Sequence, residues 1–183
     1  MIRRALTLAL LLTGCAGAAD APAPVPAFQG QLPMVAEVTY YTAPSSALNA
    51  AMVDEGAALL AKMGFGLVRV ADKAQAQITL GVEDNHTGGC IDRSWDAYKQ
   101  GCGEIYVCQR ALDEGRVKPA MIAHEISHAL GMPHVTGDAP ALMGPYESPV
   151  VDDFTDADAA GFQSLRTIPG SVFSGYCLHQ VGK

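Results

Sequence analysis

Three histidines, a glutamate, a glycine and a methionine fall within twenty residues, His124 to Met143, in the stretch HEISHALGMPHVTGDAPALM. His124 and His128 are four positions apart, so on a helix their imidazoles lie one turn apart on one face. Both can then reach a single metal ion. Glu125 is turned about 100° from His124, beside such an ion rather than on it. From there its carboxylate can take a proton from a water molecule and pass it to a leaving amine. Gly131 comes three residues after His128, where a helix must stop sharply and a left-handed backbone is cheapest for glycine. Pro133 keeps the helix from resuming, and His134 follows as a third nitrogen ligand. Three histidines leave the fourth zinc position open to water, the arrangement of catalytic rather than structural zinc. One catalytic Zn2+ is the expected cofactor.

These residues need a scaffold, and the flanking patterns predict an α+β one. Val117 to Leu130 reads as the metal-site helix, with Pro119 in its first turn, where proline is tolerated. Met121, Ile122, Ile126, Ala129 and Leu130 give it an apolar face. Strands are expected at Met34–Tyr41, Phe65–Val70, Gln77–Val82 and Gly103–Cys108. A helix should start at Pro44-Ser45-Ser46, carry Leu48, Met52, Ala58, Leu59 and Met63, and end at Gly64. Thr155 to Asp158 caps a last helix running to Leu165. Between Glu83 and Gly103 lies a long polar loop with Gly88-Gly89, Trp95 and two cysteines, expected to be stapled. His86 near it reads as a solvated loop histidine or as a ligand for a second metal.

The 183 residues carry a formal charge of −7 without a basic cluster, which argues against nucleic acid as a partner. The N-terminus, MIRRALTLALLLTGC, has a short basic region before a brief apolar run, the proportions of a secretory signal. Leu12-Thr13-Gly14-Cys15 resembles the bacterial lipobox, which implies cleavage before Cys15 and its lipidation; an ordinary signal with a chance cysteine is the other reading. Residues 1–14 would then be the signal, 15–33 a lipidated Ala/Pro-rich tether and 34–183 the catalytic domain. Ala16, not an aspartate, follows Cys15, so the resemblance implies outer-membrane retention if the envelope is a Gram-negative one, with a soluble domain tethered to a membrane face. Cys90, Cys102, Cys108 and Cys177 are an even set in an exported chain, pointing to two disulfides with three possible connectivities. A structural metal site is the competing reading, although no C-x-x-C pair is present.

The full H-E-x-x-H-x-x-G-x-x-H at 124–134 resembles the metzincin metallopeptidases. The resemblance implies a zincin-like domain with a twisted, mostly parallel small sheet, an active-site helix, a methionine turn and a C-terminal helix. Ala141-Leu142-Met143 looks like that turn, and its short link to His134 is similar to the matrixin branch. Pro145 and Tyr146 resemble the wall of the first primed-side pocket there; Tyr146 could instead donate a hydrogen bond to an oxyanion. The implied roles are zinc ligation by His124, His128 and His134, general base and acid for Glu125, and a peptide or protein substrate with an apolar side chain after the cleaved bond. Val135 stands where matrixins typically carry serine, the spacing from Met143 to Tyr146 differs slightly from theirs, no cysteine-switch segment precedes the first strand, and residues 83–103 lack the ligands of a structural ion loop.

Two other classes fit the same residues: a zinc-binding lipoprotein that serves as an interaction module, and an envelope-structural or inhibitor-like lipoprotein on an inherited fold. Glu125 speaks against the first, because binding alone needs no proton shuttle.

Overall fold

The computed structural model describes residues 25–44, 48–91, 96–101, 103–137, 139–145 and 151–166. The elements are β1 (Ala36–Thr42), α1 (Ala50–Leu59), β2 (Phe65–Arg69), β3 (Ile78–Glu83), β4 (Ala97–Gln100), β5 (Glu104–Cys108), α2 (Gln109–Asp113), α3 (Pro119–Ala129) and α4 (Asp156–Arg166). The strands form one mixed sheet in the order β2-β1-β3-β5-β4. The pairings β1–β2, β1–β3 and β3–β5 are parallel, and β4 joins the end antiparallel to β5. The fold is α+β. Among the described residues no helix is long and apolar enough to cross a membrane.

Local chemistry explains most boundaries. α1 starts later than Pro44-Ser45-Ser46 suggests, because the side chain of Asn49 accepts from the N–H of Ala51 and caps the helix there. Gly64, at φ 81°, turns the chain straight into β2. Between β2 and β3 the chain makes a single 3-10 turn, Lys73–Gln75, capped by the Asp72 carboxylate. β5 can lie beside β3 because of Gly103: a Cβ there would sit 2.4 Å from the carbonyl oxygen of Gln77, and its φ is 88°.

The segment 83–103 is not wholly irregular. It contains a 3-10 turn at Gly88–Ile91 and the edge strand β4. A disulfide joins Cys90 to Cys108, tying that turn to the end of β5. Cys15, Cys102, Cys177 and Trp95 lie outside the described residues.

Residues 28–33, assigned to the tether by composition, are docked on the body. The N–H groups of Phe28 and Leu32 donate to the carbonyls of Phe154 and Lys62 at 2.7 and 2.8 Å. Leu32 is buried and Phe28 packs against the core, and that apolar contact is what holds a strap that would otherwise be solvated.

α1 and α3 pack against each other, and Val38, Leu80, Ile105, Val107, Ile122 and Ile126 are in the core. Phe65, Phe154 and Phe162 form an aromatic cluster with centroid separations of 5.7–5.8 Å. Gly56 lets α1 approach α3: a Cβ there would lie 2.7 Å from both Ile122 Cβ and the carbonyl oxygen of Pro119. Gly56→Ala is therefore expected to destabilise the protein by about 1–3 kcal/mol through overpacking, despite the better helix propensity of alanine. Urea unfolding checks it; a change below about 0.5 kcal/mol would show that the helices part freely.

Candidate metal centre

α3 carries His124 and His128 one turn apart, and its end brings the third histidine back. The N–H of Gly131 donates to the carbonyl of His128 and that of Met132 to the carbonyl of Ser127, both at 2.9 Å. This is the Schellman arrangement, closed by Gly131 at φ 96°. The reversal has a second effect. The carbonyl of Met132 now accepts from His128 Nδ1 at 2.7 Å. The chain then runs through Pro133 to His134, and the N–H of Val135 donates to the carbonyl of Met143 at 2.7 Å.

The turn at 141–143 lies directly beside the first histidine of the cluster. His124 Nδ1 is 2.7 Å from the carbonyl of Leu142. A carbonyl can only accept, so both Nδ1 atoms carry the proton and both Nε2 lone pairs are left free to bind a cation. The side chain of Met143 is fully buried. Pro145 is exposed, and Tyr146 lies outside the described residues.

Ligand atoms of His124, His128 and His134 all lie within 4.8 Å of one another, a cluster that could hold a metal ion. His128 Nε2 and His134 Nε2 are 3.1 Å apart, where two tetrahedral zinc–nitrogen bonds would place them about 3.3 Å apart. The donor set fits a borderline-soft divalent ion. Burial lowers the pKa of His124, and burial with the neighbouring imidazoles takes that of His128 down to about 4. Both rings are thus neutral ligands at pH 7.

Glu125 is only 8% exposed. Desolvation pushes its pKa up to about 7, against a smaller opposing effect of Lys99. A carboxyl near neutrality is suited to both accepting and returning a proton.

Asp158 was legible in sequence only as a helix-capping residue, and it does more. Fully buried on α4, its carboxylate accepts from the N–H groups of Leu142, Met143 and Thr155, each at 2.8 Å, and from the Thr155 hydroxyl at 3.0 Å. It therefore caps α4 and fixes the turn whose carbonyl orients His124. Four donors compensate its burial.

His86 is not part of this cluster. It lines a cavity of about 620 Å³ with Asn85, Ile91, Arg110 and Glu114, none of them a member of the histidine triad.

No protein-family model matches the chain, and no curated protein matches it.

His134→Ala is expected to weaken zinc binding by at least about 100-fold, since a first-sphere ligand is worth more than the outer partners whose loss costs 10–100-fold. Competition against a chromogenic chelator measures it, and an unchanged affinity would remove His134 from the ligand set.

Proposed function

We propose that the protein is a zinc-dependent endopeptidase of the metzincin type, exported and held at the cell envelope by a lipid on Cys15. The observation that carries the reading is the junction of three converging imidazoles with a buried carboxyl on the residue after the first of them. The methionine turn beside His124 and the mixed sheet support the same family. The export and anchor rest on the leader sequence alone.

His124, His128 and His134 would hold the ion. Bound there, zinc supplies Lewis acidity, polarising the scissile carbonyl and lowering the pKa of water. Glu125 accepts the proton of the water that adds to the carbonyl carbon. As the C–N bond breaks, Glu125 returns that proton to the amine nitrogen. Burial of Glu125 strengthens both transfers by excluding competing solvent. β4, unpaired on its outer side among the described residues, offers backbone donors and acceptors to an extended peptide.

Metal analysis with cleavage of a mixed peptide library tests the proposal. The expected result is one zinc per chain and hydrolysis that a chelator abolishes and added zinc restores. A zinc-loaded protein inert toward every peptide would overturn it in favour of a binding module.

A further inference from the structure

β4 is short and its side chains alternate. Ala97 and Lys99 share one face; Tyr98 and Gln100 share the other. Tyr98 stacks on Tyr106 at 5.6 Å, bonds to the Glu83 carboxylate and covers Gly89. Ala97 is buried, and β4 packs against α3. Lys99 therefore stands on the α3 side of the edge strand, exposed, one step beyond Ala97. Its charge reaches both Glu125 and His128. Lys99 forms no ion pair among the described residues, whereas Lys62, Arg69, Arg116 and Lys118 each face a carboxylate. Its Nζ donates to the carbonyl of Gly101 at 2.9 Å, which leaves two of its three N–H donors for another acceptor. An acidic chain thus places a cation with no ion partner among the described residues at the rim of its candidate metal centre.

We infer that Lys99 is a specificity-determining residue that receives a carboxylate of the peptide lying along β4, so that the preferred substrates are acidic peptides. The inference rests on reading the triad as a peptide-hydrolysing centre. The carboxylate comes from an aspartate or glutamate side chain or from the peptide's own C-terminus; both offer the same acceptor geometry to an ammonium.

Fluorogenic peptides with one Asp or Asn, moved through the four positions on each side of the cleaved bond, test this with free and amidated C-termini. The expected result is an Asp:Asn ratio of kcat/KM of about three to ten at one or two positions. Lys99→Arg should keep the ratio, Lys99→Ala should bring it to one and Lys99→Glu should invert it. An Asp:Asn ratio of one, with free C-termini cleaved faster than amidated ones and that preference lost in Lys99→Ala, would assign the terminal carboxylate instead of a side chain. A ratio that neither Lys99→Ala nor Lys99→Glu moves overturns the inference while hydrolysis stands. Binding of Asp- and Asn-bearing peptide hydroxamates to the zinc-loaded protein supplies a readout without turnover. If no peptide is cleaved but the hydroxamate ratio follows the charge at position 99, the contact between Lys99 and a peptide carboxylate stands as a binding preference, and the proposed hydrolysis and the substrate preference fall. If no peptide is cleaved and the hydroxamate ratio is indifferent to position 99, both fall.

Discussion

Glu125→Gln is expected to lower kcat for peptide hydrolysis by about 10²–10⁴-fold, the span of general acid–base catalysis, while zinc stays bound. Glutamine keeps the shape of the side chain but can neither take up nor return the proton. Retained cleavage in a zinc-loaded variant would remove Glu125 from the mechanism. The same substitution should stabilise the metal-free fold. Burial raises the Glu125 pKa from 4.5 to about 7, so its favourable contribution is fully present below pH 4.5 and is lost as pH rises through 7. At pH 8 the ionised, buried carboxylate costs about 3 kcal/mol. The variant lacks this penalty. Its stability advantage, read from urea unfolding in the presence of a chelator, should be full at pH 8 and fade between pH 7 and 4.5. Parallel stability curves across that range would contradict the desolvation of Glu125. Should both results be obtained, Glu125 would weaken the resting fold and yet be needed for turnover, the mark of a functional-site residue.

The second large effect is expected at Asp158. Asp158→Ala leaves the N–H groups of Leu142, Met143 and Thr155 without their acceptor. Each buried orphan costs about 1–3 kcal/mol, and incomplete relaxation through water puts the total at roughly 3–5 kcal/mol. Thermal or urea unfolding measures this. Zinc affinity should fall about 10-fold or more, because the turn that Asp158 fixes also presents the carbonyl that orients His124. A variant within about 1 kcal/mol of the parent, with the same zinc affinity, would mean that the turn is held by its other contacts.

The contrast between these two residues shows where sequence was informative. Glu125 and the histidines sit within eleven residues, and helical periodicity with one glycine stop determines how they meet. Asp158 acts across fifteen and sixteen residues of chain on the backbone amides of Met143 and Leu142, a relation with no local pattern. β4 escaped notice because Lys99 and Gln100 are exposed and only Ala97 is buried; its partner β5 makes it a strand. Among three open disulfide connectivities, nothing in the spacing favoured Cys90 with Cys108, since the turn that brings them together is tertiary. The strap at 28–33 was hidden by its Ala/Pro-rich surroundings, in which Phe28 and Leu32 are the anchoring side chains.

Two imidazoles of the site are oriented by main-chain oxygens, those of Met132 and Leu142, rather than by side-chain acceptors. A carbonyl cannot be deleted by a point mutation. The two hydrogen bonds themselves set no side-chain identity at 132 and 142; Met132 and Leu142 are buried, so packing and the path of the backbone are what constrain those positions. The orientation of the ligands is therefore inherited as a loop shape and not as a residue identity, which makes insertions or deletions in 131–143 the hazard for this centre.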